Sequence, residues 1–239
     1  DQFIFFTYLY YPTVYGLPRV CDKAILIPTA HDEEAFYFSP IDRVLKTPCF
    51  LLVNTEAEQR LIESRTCHQN APIRIAGLGF DELEKLKGEI KSQVDNTPAQ
   101  FALYLGRISH GKGVSELISW FLEFIKAQPS DFTLLLAGNK EDDFTIPVHP
   151  NIRYVGFVDT EQKISLLQRA ALIINPSPLE SLSMLVIEAM ALRRPVLVNG
   201  HCPVLRELAD RGPSVFAYRG KKEFFAHLTD ILQFNWQSH

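Results

Sequence analysis

Short apolar runs, separated by polar and glycine-containing turns, recur along the whole chain. Phe3 to Tyr8, Ala24 to Ile27, Phe50 to Val53 and Ile73 to Ala76 are rich in β-forming residues, and each predicts a strand buried on both faces. Between the last two, Thr55 to Glu58 has the S/T-x-x-E form of a capping box and predicts a helix to about Arg65. Asp81 to Lys91 predicts a charged helix or linker, and Asp95-Asn96-Thr97-Pro98 is the expected domain boundary.

Beyond Pro98 the alternation becomes regular. Strands are expected at about 101–105, 132–137, 152–155, 171–174, 196–199 and 214–217, with helices at about 112–127, 160–169, 184–192, 203–209 and 221–234. Such alternation predicts an α/β fold with parallel strands and helices on both faces. In such sheets ligands bind beyond the carboxyl ends of the strands, so the informative loops are those that follow strands.

The 239 residues are 46% hydrophobic and 22% charged, an ordinary balance for one large or two small globular domains. A net charge of -4 argues against a broad nucleic-acid-binding face. Cys21, Cys49, Cys67 and Cys202 are scattered without a C-x-x-C pair, which predicts reduced thiols and a cytoplasmic location. No apolar run approaches the length of a membrane span.

Asn175 to Arg194, NPSPLESLSMLVIEAMALRR, concentrates the candidate chemistry. Ser183 is the expected N-cap of the helix at 184–192, whose first amides and dipole suit a phosphate. Glu188 lies one turn inside among apolar residues, where a carboxylate needs water, a cation such as Arg206, or ligand hydroxyls. Spacing alone favours the plainer accounts, solvent or arginine.

The other strand-following loops change that balance. Gly106-Arg107-Ile108-Ser109-His110-Gly111-Lys112-Gly113 sets two cations and three glycines at a helix start, where backbone approaches a ligand closely and Arg107 and Lys112 neutralise a diphosphate. It is not a P-loop, because Gly113 stands where a hydroxyl residue would hold magnesium. Gly138-Asn139 and Gly156-Phe157-Val158 follow the next two strands and open room for a base or ribose. All these loops fall on one edge of one sheet.

Taken in order, Leu105-Gly106-Arg107-Ile108 with Lys112-Gly113, Val155-Gly156-Phe157-Val158, Pro176-Ser177 leading to Glu180 and Glu188 at E-x7-E spacing, and Pro195-Val196 resemble glycosyltransferase family 4, retaining sugar-nucleotide-dependent enzymes of the GT-B fold. Ile27-Pro28-Thr29-Ala30-His31-Asp32-Glu33 resembles the family's strand-to-loop segment that carries a cleft histidine. The resemblance implies a complete C-terminal Rossmann-like nucleotide-sugar domain at 98–239. It also implies a partial N-terminal domain at 1–97, with a linker and without its first half.

The resemblance further implies roles. Arg107, Lys112 and the backbone of Ser181, Leu182, Ser183 and Met184 bind the donor diphosphate, Glu188 the ribose, and Gly156, Phe157 and Val158 the base. His31 and Glu180 face the transferred sugar. It implies transfer without metal or cofactor, from a UDP- or GDP-linked sugar to a glycan, lipid or small-molecule acceptor. Peripheral membrane contact through the absent N-terminal region is an accompanying expectation, and oligomeric state is left open. The alternatives are a donor-binding fragment or subunit that needs a second chain, and a sugar-nucleotide epimerase of the same fold. Two departures stand out: Ser181 and Ser183 flank Leu182 where many members have glycine after the first glutamate, and Arg193-Arg194 replaces the usual glycine before Pro195.

Overall fold

A computed structural model describes residues 1–66, 71–77, 94 and 97–233. The segment at 81–91, Cys67 and the Asp95-Asn96 part of the expected boundary lie outside the described residues. Two compact units are present, residues 1–79 with 179–182, and residues 80–178 with 183–239.

The first unit is built on four parallel strands in sequential order, β1 (Phe3–Phe6), β2 (Ala24–Ile27), β3 (Phe50–Val53) and β4 (Ile73–Ile75). Helix α1 (Ser39–Lys46) precedes β3, and α2 (Glu56–Arg65) joins β3 to β4. The core gathers Tyr8, Leu17, Leu26, Phe36, Leu45, Leu51 and Ile62. The apolar runs predict all four strands, but full burial holds only in part. β1 and β4 are the sheet's edges, and Ile4 is 60% exposed. β1 also ends sooner than the run suggests, because Thr7 takes a left-handed conformation at φ 60° and turns Tyr8 into the core.

The second unit has six parallel strands: β5 (Phe101–Leu105), β6 (Thr133–Ala137), β7 (Ile152–Gly156), β8 (Leu172–Asn175), β9 (Val196–Asn199) and β10 (Val215–Tyr218). Their spatial order is β10-β9-β8-β5-β6-β7. The connecting helices are α3 (Val114–Ala127), α4 (Thr160–Arg169), α5 (Met184–Ala191), α6 (Pro203–Arg211) and α7 (Lys221–Gln233). Every expected strand and helix after Pro98 is present within two residues at each end. The four inner strands are buried nearly throughout, while of the two edges β7 exposes Arg153 and Tyr154 and β10 leaves Phe216 and Ala217 half-buried. Phe121, Phe124, Ile125 and Phe224 are buried in the core, and Phe225 packs against it.

Sheet order fixes where a ligand can enter. The chain runs outward from β5 through β6 to β7, then returns to β8 on the other side of β5 and runs outward again. Loops leaving β5 and β8 therefore set out towards opposite sides at their carboxyl ends, and in sheets of this kind a ligand crevice is expected at this reversal.

Candidate functional site

The reversal point is closely packed. Gly113 ends the 3-10 turn His110–Lys112 with a left-handed φ of 73°, and a β-carbon there would lie 2.5 Å from the carbonyl oxygen of Pro176. The loop after β5 thus touches the loop after β8 through bare backbone. Gly138 repeats the device one strand over, where a β-carbon would sit 2.0 Å from the carbonyl oxygen of Gly106.

The loop after β5 is zipped to the loop after β6. Ile108 donates its amide to the Asn139 carbonyl at 2.8 Å, and Glu141 donates to the Ile108 carbonyl at 3.1 Å. The Tyr104 hydroxyl donates to the Arg107 carbonyl at 2.6 Å. Arg107 therefore projects from a fixed backbone with its side chain 65% exposed, its Nε 3.9 Å from Glu141. A pair so open to solvent adds little to stability and leaves the guanidinium available to an anion. Lys112 lies in the turn immediately before Gly113 and is half-buried.

On the other side of the crevice, Ser183 is the N-cap of α5, accepting from the Val186 amide. Asn175, the last residue of β8, donates from Nδ2 to Ser183 Oγ at 2.9 Å, while its Oδ1 accepts from the Ser177 amide at 3.0 Å. Asn199, the last residue of β9, donates to the Pro176 carbonyl at 3.1 Å. Two strand-end asparagines thus hold the turn that leads into α5. The Ser183 hydroxyl thus accepts from both Asn175 and Val186, which commits its two lone pairs inside the protein. The amides of Met184 and Leu185 donate to no described residue, as expected for the first turn of a helix. Glu180, Ser181 and Leu182 lie half-buried in the preceding turn without regular secondary structure.

Glu188 is buried, its side chain 8% exposed, and its Oε1 lies 2.7 Å from Nζ of Lys163, itself 23% exposed. Arg206, one of the partners weighed from spacing, instead lies 4.0 Å from Asp210 within its own helix. Glu188 Oε2 accepts no hydrogen bond from a described residue. Lys163 stands on α4, which begins right after the loop Gly156-Phe157-Val158. That helix starts with a full capping box between Asp159 and Gln162, which fix its first turn. In the loop, Gly156 takes φ 77° and its carbonyl accepts from the Gly138 amide at 2.7 Å, leaving Phe157 exposed beside it.

In the first unit, His31 follows β2 and places Nε2 3.3 Å from Glu33 Oε2, while Glu33 Oε1 accepts from the Tyr8 hydroxyl. Burial, and then the bond to Glu33, push the Tyr8 hydroxyl pKa well above the usual phenol range. The amide just before His31, that of Ala30, donates at 2.6 Å to Glu58 Oε1, whose other oxygen accepts from the Asn54 amide at 2.7 Å. This corrects the capping-box reading. Thr55 does cap Glu58, but the Glu58 carboxylate reaches across to two loop amides rather than back to Thr55. Glu58 is 1% exposed and pairs with no cation among the described residues, and burial raises its pKa to about 7 against the two amide bonds that lower it.

Within the second unit the structure therefore groups Arg107, Lys112, Ser183, Met184, Glu188 and the Gly156 loop along one carboxyl edge. The residues sequence reasoning missed are Lys163, Asn175, Asn199 and, in the first unit, Tyr8, Glu33 and Glu58. Most act through partners far away in sequence, where no local spacing could reveal them.

Comparison with known proteins bears on the family and the fold. A curated relative, an uncharacterized glycosyltransferase of Methanocaldococcus jannaschii, is 21% identical over 164 residues, covering 66% of this chain and 41% of its own length. Among solved structures, a trehalose-6-phosphate synthase superposes with a TM-score of 0.76 at 11% identity, over 99% of this chain and 65% of that one. Sucrose-phosphate synthase from Thermosynechococcus elongatus gives 0.71 at 15% identity, over 98% of this chain and 65% of that one. The chain thus spans less than two thirds of these relatives. The model of the family Glycosyl transferases group 1 matches residues 99–233, more than half of the chain, and the chain belongs to that family, with a fold of the GT-B type.

Proposed function

We propose that this chain forms the donor-binding part of a retaining glycosyltransferase that moves a sugar from a nucleoside diphosphate, UDP- or GDP-linked, to a glycan, lipid or small-molecule acceptor. The observation that carries this reading is the contact of Gly113 with the Pro176 carbonyl. It joins the loop bearing Arg107 and Lys112 to the turn leading into α5, at the point of the sheet where a ligand enters.

In this reading the acceptor oxygen bonds to the anomeric carbon on the face the diphosphate leaves, as the bond from that carbon to the diphosphate breaks, and the acceptor's proton passes to an oxygen of the departing diphosphate. The electron pair leaves with the diphosphate, so negative charge grows there while the sugar becomes oxocarbenium-like. Arg107, Lys112 and the open amides of Met184 and Leu185 stabilise that charge without reorganising, and no metal or cofactor is required. Glu188 accepts from the ribose hydroxyls, and Gly156, Phe157 and Val158 take the base. Glu180 and His31 face the transferred sugar, with His31 oriented by Glu33 and Tyr8.

Calorimetric titration of the full-length protein with UDP-, GDP- and ADP-sugars tests the reading. At least one donor binds, and Lys112→Ala weakens it by about tenfold, the loss of one charge-assisted contact. Binding by none of them would sink it.

A further inference from the structure

Lys163 has no part in the scheme above, yet it holds the residue assigned to the ribose. Its ammonium lies 2.7 Å from Glu188 Oε1 in a setting where the carboxylate is 8% exposed. A carboxylate removed from water to that degree needs a partner, and without one it swings out towards solvent. One oxygen of Glu188 is committed to Lys163, while Oε2 accepts from no described residue. A carboxylate with one oxygen pinned keeps free lone pairs on the other, in a fixed direction.

The position of Lys163 in the fold adds a second function to the pair. It lies in the first turn of α4, four residues after the N-cap Asp159, to whose carbonyl its amide donates at 2.8 Å. The same helix start is the end of the Gly156-Phe157-Val158 loop. The ion pair therefore ties the loop that follows β7 to the helix that follows β8, spanning the base and ribose sides of the crevice.

We infer that Lys163 is the positioning residue of the nucleoside site: it holds Glu188 in place and directed so that Oε2 accepts from the ribose hydroxyls, and so selects ribonucleotides over deoxyribonucleotides. This rests on the assignment of Glu188 to the ribose.

The test is binding of UDP, GDP and ADP, and of their 2′-deoxy forms, to the full-length protein and to Lys163→Met, Lys163→Arg and Glu188→Gln. Inorganic pyrophosphate is titrated in parallel as a probe of the diphosphate half. The wild type should prefer the ribonucleotide by about tenfold, the worth of one hydrogen bond to a charged acceptor. Lys163→Met should reduce that preference to about twofold or less while leaving pyrophosphate affinity unchanged, and Lys163→Arg should restore most of it. If Glu188→Gln abolishes the preference but Lys163→Met preserves it, the role of Lys163 is overturned and the ribose assignment stands. If Glu188→Gln itself preserves the preference, the ribose assignment fails, and the inference with it. An equal loss of pyrophosphate binding in Lys163→Met would make the pair a general structural tie, which also contradicts the inference.

Discussion

The α-carbon of Gly113 rests against the carbonyl of Pro176 so closely that a β-carbon would lie 2.5 Å from its oxygen. No side chain fits between the two loops, and the left-handed backbone at φ 73° already excludes most residues. Gly113→Ala should therefore destabilise the protein by about 2–3 kcal/mol and push the two loops apart. Thermal unfolding reads the first effect, and loss of nucleotide binding at a temperature where the variant is still folded reads the second. Full affinity in a folded Gly113→Ala would show that the junction does not shape the site.

Glu58 gives the protein a specific pH dependence. Burial raises its pKa from 4.5 to about 7, so the folded state favours the protonated form relative to the unfolded chain. Its contribution is fully present below about pH 4.5 and is lost as pH rises through about 7. Between those limits the wild type should lose on the order of 3 kcal/mol relative to Glu58→Gln, whose side chain does not titrate. Denaturant unfolding of both proteins across pH 4.5–7.5 measures the difference in slope, and parallel curves would contradict the shifted carboxyl.

Arg193 explains the missing glycine. It occupies the left-handed position just past α5, at φ 55°, and its amide donates to the Met190 carbonyl while that of Arg194 donates to Ala189, each at 2.9 Å. This is the Schellman pattern, which glycine satisfies without steric cost. Arg193→Gly should stabilise the fold by about 0.5–1 kcal/mol, read as a rise in Tm of a few degrees with donor affinity unchanged.

The sequence reveals much of the second unit because its signals are local. Apolar runs of β-forming residues alternate with helix-period segments, and Ser183 and the glycines after β5, β6 and β7 mark the ends. Burial in the first unit is harder to read, since Phe3, Ile4 and Phe6 look like core residues yet lie on an edge strand. Glu188 shows the same limit on the chemical side. Its burial follows from its apolar neighbours, but Lys163, 25 positions earlier, becomes its partner only through the β7–α4–β8 crossover. Glu58 misleads in another way, because its spacing from Thr55 is that of a capping box while its carboxylate serves Ala30 and Asn54.

The most direct measurement is a crystal structure of the full-length protein with a bound UDP- or GDP-sugar. The account predicts diphosphate oxygens on Arg107, Lys112 and the amides of Met184 and Leu185, ribose hydroxyls on Glu188 with Lys163 still at its other oxygen, and the base beside Phe157. A diphosphate bound away from the junction of Gly113 and Pro176, or a ribose turned away from Glu188, would contradict it.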